Sequence, residues 1–253
     1  MKLKGKVAII TGASSGIGRA AAILFAQEGA KLVLAARGRE RLDQLASEIH
    51  TQGSEAIRVA GDVRDESFAQ ELVETAQRQW GRLDIAFNNA ATLAGGGPTT
   101  QVSQEDWRTA VDTNLTSAFL SAKHQIPALL EAGQGSLIFT SSFVGHTVGF
   151  PGTAAYAATK AGLVGLTQAL AAEFGPRGLR VNALLPGGTD TPMAREMNGT
   201  AEAMAHVASL HALKRIARPE EIAQAALFLA SDASSFMTGA AMLVDGGVSI
   251  TRS

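Results

Sequence analysis

Tyr156 is the only tyrosine of the chain, and Lys160 follows it four residues later. The run around them, TAAYAATKAGLVGLTQALAAEF, is rich in Ala and Leu with apolar residues at helical spacing, which predicts a helix. Positions i and i+4 share a helix face, so the Lys160 ammonium can lie beside the phenol. A fixed cation there favours phenolate and is expected to draw the tyrosine pKa down from about 10, making Tyr156 a usable proton donor or acceptor. An ordinary amphipathic helix surface carries such pairs too. What the pair does depends on what the rest of the chain places beside it.

The first partner lies near the N-terminus. Residues 6–10, KVAII, form a β-branched run ending at Thr11-Gly12, the pattern of a buried parallel strand. Gly12-Ala13-Ser14-Ser15-Gly16-Ile17-Gly18 follows and opens into RAAAILFAQEGA, a helical pattern stopped by Gly29. Strand, glycine turn and helix are the context of a dinucleotide phosphate site. Gly12 and Gly16 permit the tight turn and close backbone approach, and Gly18 lets helix and strand pack. The helix N-terminus offers free N–H groups and a positive dipole end to a pyrophosphate. The spacing is GxxxGxG, which departs from GxGxxG. After the second strand, 31–36, an NAD site would carry an acid for the ribose 2′-hydroxyl, but this chain has Ala36 and then Arg37. A carboxylate would repel a 2′-phosphate, whereas a guanidinium binds it through charge-assisted hydrogen bonds. NADP(H) is therefore expected, with NAD(H) as the alternative.

The remaining chain alternates between the two periodicities. Strands are predicted at 55–60, 83–87, 136–141, 179–184 and 241–244, and helices at 39–52, 65–80, 103–130 and 219–230. Asp65 is a candidate N-cap, and Pro219 falls near the first position of its helix. Residues 94–100, AGGGPTT, lack periodicity and read as a flexible loop beside the crevice. Residues 188–216 have weak helical periodicity and Met193, Met197 and Met204; they read as a substrate lid or a surface helix pair. No linker or repeat interrupts the alternation. The expected architecture is α/β, a single Rossmann-type domain over 1–253 with a doubly wound, seven-stranded parallel sheet and helices on both faces.

Composition closes off several functions. A net charge of −1 gives no electrostatic case for nucleic acid or an anionic membrane. The chain has no cysteine, so disulfides, thiolate metal sites and cysteine nucleophiles are excluded. His124, His146, His206 and His211 show no ligand spacing, so no metal is expected and they read as solvated or packing residues. His146 alone, between Ser142 and Tyr156, is placed to line a substrate pocket. The apolar run after the basic N-terminus is too short for a signal peptide, and no window reaches a membrane span, so a soluble, cytoplasmic protein is expected.

Thr11-Gly12-xxx-Gly16-Ile17-Gly18, Asn88-Asn89-Ala90, Ser142, Tyr156-xxx-Lys160 and Pro186-Gly187 together resemble the short-chain dehydrogenase/reductase family. The resemblance spans essentially the whole chain and accounts for the GxxxGxG spacing. It implies that Tyr156 is the acid/base and that Lys160 lowers its pKa and holds the nicotinamide ribose. Ser142 would polarise the substrate oxygen, and Asn114 would anchor a water linking Lys160 to solvent. It implies further cofactor contacts from Ser14, Ser15, Ile17, Asp62, Val63, Asn89, Ala90, Thr189 and Thr191, besides Gly12, Gly16, Gly18, Arg37, Pro186 and Gly187. Three departures stand out. Ala91 replaces the usual glycine, which negative φ would allow with a small local adjustment. The interval from Ser142 to Tyr156 is one residue longer than in many members, leaving Ser141 beside Ser142, although Gly145 favours the latter. Ser15 stands where NADP-preferring members often have a basic residue.

The resemblance implies a small carbonyl or alcohol substrate and NADP(H)-dependent hydride transfer, either 3-oxoacyl reductase-like or as a general carbonyl reductase. An NAD-dependent sugar, polyol or hydroxysteroid dehydrogenase is the alternative. A cofactor-binding protein without chemistry would be expected to lose Tyr156 or Lys160, and neither is lost. A homotetramer is also implied.

Overall fold

The computed structural model describes residues 1–251. Its order is β1 (Val7–Thr11), α1 (Gly16–Gln27), β2 (Lys31–Ala36), α2 (Arg39–Thr51), β3 (Ala56–Ala60), α3 (Glu66–Trp80) and β4 (Ile85–Asn88). Then come α4 (Gln104–Val111), α5 (Ser117–Glu131), β5 (Ser136–Thr140), α6 (Ala154–Phe174), β6 (Arg180–Pro186), α7 (Pro192–Asn198), α8 (Ala201–Leu210), α9 (Pro219–Ala230) and β7 (Ala241–Val244). All seven strands are parallel, in the order β3-β2-β1-β4-β5-β6-β7. The doubly wound, seven-stranded expectation holds.

Two apolar layers sandwich the sheet, and strand alternation assigns residues to them. Along β1, Ala8 and Ile10 join the layer beneath α1 and α9. Val7 and Ile9 join the opposite layer, beneath α3 and α5. Both faces are covered, which is why these strands read as continuous apolar runs.

The strand order reverses between β1 and β4, the position at which open α/β sheets form a crevice beyond their carboxyl ends. Thr11 secures this seam: its Oγ1 accepts the backbone N–H groups of Asn89 at 3.0 Å and Ala90 at 3.1 Å. The expected helix at 103–130 is not continuous. Residues Asp112–Thr116 form a single π turn between α4 and α5, a feature that apolar periodicity does not encode. Asp65 occupies the position before α3 but makes no side-chain cap. In the described residues, no helix is long and apolar enough to cross a membrane.

Candidate active site

A cavity of about 1010 Å³ runs along the carboxyl ends of the strands, from Arg37 after β2 to Tyr156 on α6. At its centre is the glycine turn. Gly12 and Gly16 have φ of +67° and +51°, a region that L side chains rarely adopt. A Cβ on Gly18 would lie 2.2 Å from the Gly12 carbonyl oxygen, so only glycine lets α1 sit this close to the turn. Ser15 precedes α1 without capping it through its side chain, which leaves the helix N-terminus to an anion. The cavity and the uncapped helix fit a pyrophosphate-bearing dinucleotide. Ser14, Ser15, Gly16 and Ile17 line the cavity here, whereas Gly18 lies behind it as packing.

Beyond β2 the cavity is basic. Arg37, Arg39, Arg41 and Arg64 all line it. Arg64 binds both carboxylate oxygens of Asp62 and, with its own backbone N–H and the charge of Arg37, holds that carboxyl below its ordinary range. Arg37, Arg39 and Arg41 form no ion pair with a carboxylate among the described residues. Arg41 was not foreseen: it belongs to the first turn of α2, and only the fold turns it back towards the crevice. Val63 also lines this end.

In the middle, Asn89 and Ala90 line the floor. The Asn89 amide reaches the Thr11 carbonyl and accepts the Thr140 hydroxyl at 3.1 Å, joining the ends of β1, β4 and β5. Ala91 lines the cavity with negative φ, since Lys214 is the only described non-glycine residue with positive φ, so the alanine fits without strain. Pro186 and Gly187 line the opposite wall with Thr189 and Thr191. The Thr191 hydroxyl caps α7 by accepting the Ala194 N–H at 3.2 Å, and Thr189 donates to the Gly187 carbonyl.

At the far end, α6 brings Tyr156 against Ser142. The Lys160 ammonium lies 5.5 Å from the centre of the Tyr156 ring and donates to the Thr140 carbonyl at 2.7 Å. Ser141 and Ser142 are distinguished by their partners. The Ser141 hydroxyl is committed to the Lys160 backbone carbonyl at 2.7 Å. The Ser142 side chain is left facing the Tyr156 phenol, whose pKa it draws down against the effect of burial, and its oxygen accepts the Val144 N–H at 3.1 Å.

The protonation states differ from expectation. Burial raises the Tyr156 pKa, with the Ser142 side chain acting in the opposite direction. Burial also lowers Lys160 to about 7, so near neutrality the ammonium is not the permanent cation that a lowered tyrosine pKa would require. The site as it stands holds a protonated phenol beside a lysine poised to lose its proton.

Asn114 does not line the main cavity. It sits in the π turn, 2% exposed, with its side chain fully engaged. Its oxygen accepts the Thr92 N–H at 2.8 Å, and its amide donates to the Thr92 carbonyl and to Thr159 on α6. It thus ties the segment after β4 to the helix that carries Tyr156 and Lys160.

One further expectation changes. His146 is exposed and does not line the cavity, whereas His206 and His211 do. His211 is 1% exposed; it accepts the Gly188 N–H at 3.0 Å and donates through its other ring nitrogen to the Val207 carbonyl at 2.8 Å. It links α8 to the turn after β6, which a lone histidine in a sequence cannot announce. Met193, Met197 and Met204, in the segment read as a lid or a surface helix pair, all line the cavity. Residues 188–216 contain α7 and α8, neither of which has a buried residue, and both helices line the cavity.

Known proteins bear directly on this arrangement. A family model described as enoyl-(acyl carrier protein) reductase matches residues 12–249. Cyclohexanol dehydrogenase of Acinetobacter sp. (strain SE19) is 38% identical over 97% of this chain and 95% of its own length. The 3-oxoacyl-[acyl-carrier-protein] reductase FabG of Thermotoga maritima is 39% identical over 99% of this chain and 100% of its own. The chain belongs to the short-chain dehydrogenase/reductase family. Among solved structures, carveol dehydrogenase from Mycobacterium avium in complex with NAD is similar with a TM-score of 0.94, at 32% identity over 99% of each chain. As a short-chain dehydrogenase/reductase, the protein is an oxidoreductase that interconverts alcohols and ketones with a nicotinamide cofactor.

Proposed function

We propose that the protein is an NADP(H)-dependent carbonyl reductase in which Tyr156 supplies the proton. The observation that carries this is the pairing of two ends of one cavity: three guanidiniums without carboxylate partners at Arg37, Arg39 and Arg41, and a Ser142–Tyr156–Lys160 cluster opposite. A 2′-phosphate is a dianion near neutral pH, and unpaired guanidiniums favour it strongly. Gly12, Ser14, Ser15, Gly16 and Ile17 would cradle the diphosphate. Asp62, Val63, Asn89 and Ala90 would flank the adenosine half, and Pro186, Gly187, Thr189 and Thr191 the nicotinamide half.

The bound cofactor supplies or accepts the hydride. As hydride reaches a carbonyl carbon, negative charge develops on the oxygen, where the Ser142 hydroxyl and the Tyr156 phenol donate hydrogen bonds. The raised phenol pKa keeps Tyr156 in the protonated form needed to complete reduction. Lys160 holds the floor of the site through Thr140 and would meet the nicotinamide ribose. Asn114 acts through Thr159 and Thr92 as a positioning residue, and it would order a water beside Lys160.

The whole chain would work as one cofactor-binding and catalytic unit, in the cytoplasm, as a homotetramer. The name of the FabG relative supports a 3-oxoacyl substrate, and that of cyclohexanol dehydrogenase a cyclic alcohol. One second reading has its own support: the similar carveol dehydrogenase was solved with NAD. Fluorescence titration with NADPH and NADH separates the two. NADPH should bind more tightly, and Arg37→Ala should weaken it about 10- to 100-fold while leaving NADH unchanged. Equal affinities would refute NADP(H) selectivity.

A further inference from the structure

Besides the two layers that pack against the sheet, the protein has a third apolar cluster that serves no part of the sheet. Phe143, Val144 and Val248 are its buried members, with Phe150, Leu210 and the Tyr156 ring packed against them. All six line the cavity at the Tyr156 end. The wall is assembled from four separate segments: the loop after β5, the first turn of α6, the last turn of α8 and the C-terminal turn after β7.

Hydrogen bonds fix its shape. The Phe143 and Phe150 rings meet edge to face, with centres 5.8 Å apart. Val248 is held against them because the Asp245 carboxylate accepts the N–H groups of Gly247 and Ser249, at 2.9 and 3.1 Å. Ser249 then reaches across to the Thr147 hydroxyl on the opposite segment. A chamber built this way is preorganised for a ligand that matches it.

The chemistry of the wall is one-sided. Every Arg, Asp and Glu that lines the cavity lies at the end beyond β2 and β3; at the Tyr156 end Lys160 is the only lysine and no carboxylate or guanidinium occurs. Polar groups are few, and apart from the exposed His206 ring on α8 they are mostly committed. Thr153 donates to the Phe150 carbonyl at 2.7 Å, and both ring nitrogens of His211 are engaged. A carboxylate or phosphate on the substrate would lose its hydration there, and the one ammonium, Lys160, is already committed to the Thr140 carbonyl. Each extra hydroxyl of a polyol would lose its water partners for an apolar wall.

We propose that the substrate is a compact, uncharged, hydrocarbon-rich ketone or secondary alcohol, selected by the wall of Phe143, Phe150 and Val248. It carries no polar group besides the reacting oxygen, which sets it apart from keto acids, sugars and acyl thioesters on a phosphate-bearing arm. This inference rests on the carbonyl-reductase function proposed above and narrows its substrate.

The test is a panel of initial rates with NADPH and with NADH, using cyclohexanone, pyruvate, fructose and acetoacetyl-coenzyme A as probes. The expected result is a kcat/KM for cyclohexanone at least about 100-fold above each of the other three. Phe150→Ala should lower kcat/KM for cyclohexanone about 10- to 100-fold, mostly through KM, while the NADPH dissociation constant stays within about twofold. Higher or equal kcat/KM for pyruvate, fructose or the thioester overturns the substrate class and leaves the carbonyl-reductase function standing. An unchanged KM in Phe150→Ala with intact NADPH binding overturns the role of the wall. Silence with all four probes and both cofactors overturns the underlying function together with this inference.

Discussion

At the residue scale, the centre of the site is a half-buried phenol beside a fully buried amine. Tyr156 and Lys160 were legible as a pair from their spacing, but their protonation was not, because burial depends on what the fold packs over them. Lys160 is 2% exposed and its pKa falls to about 7 from an ordinary value near 10.5. The sign follows. The unfolded chain holds that proton up to pH 10.5, while the native state gives it up near 7. The destabilisation is therefore complete below pH 7 and fades as pH rises towards 10.5. Lys160→Met loses the hydrogen bond to the Thr140 carbonyl at every pH but removes the buried charge, so its effect on the stability of the cofactor-free protein should be more favourable at pH 6 than at pH 10 by up to roughly 4 kcal/mol. Urea unfolding of both proteins at the two pH values measures this difference. A change of equal size at both would show that the charge is not the cause. Loss of turnover in the same variant is expected independently.

At the element scale, the site is set by how secondary structures terminate. The strands and their order were readable because both faces are buried and the apolar runs are short and β-branched. The glycine turn was readable because each glycine answers a specific crowding. Gly18→Ala should cost about 1–3 kcal/mol and weaken cofactor binding, since the new Cβ meets the Gly12 carbonyl oxygen at 2.2 Å unless the turn moves. Calorimetric unfolding and cofactor titration would register both; wild-type values for each would contradict the packing argument. The π turn at Asp112–Thr116 was not readable. Apolar periodicity runs through 103–130 without a break, and one extra residue in a turn leaves no compositional mark. Yet that turn places Asn114 between Thr92 and Thr159. Asn114→Ala should leave both Thr92 backbone groups unpaired, destabilise the protein by about 1–3 kcal/mol and lower kcat more than it changes cofactor affinity. His211 was likewise invisible, because its partners Gly188 and Val207 come together only when α8 folds back over the turn after β6.

At the scale of the whole molecule, one cavity joins a basic end to an apolar end across the switch between β1 and β4. The family resemblance in the sequence anticipated the residues of the floor, but not the walls. Arg41, the three methionines and Val248 reach the cavity from segments whose placement no motif records. The proposed homotetramer predicts about four times the monomer mass in sedimentation equilibrium, and a monomer at micromolar concentration would refute it. The most direct test of the account is Tyr156→Phe, assayed for NADPH-dependent ketone reduction beside an NADPH titration. The variant keeps the ring that packs against Phe143 and Val248 and removes only the proton donor. Turnover should fall roughly 10²- to 10⁴-fold with NADPH affinity unchanged. Turnover near the wild-type rate would contradict the assignment of Tyr156 as the proton donor.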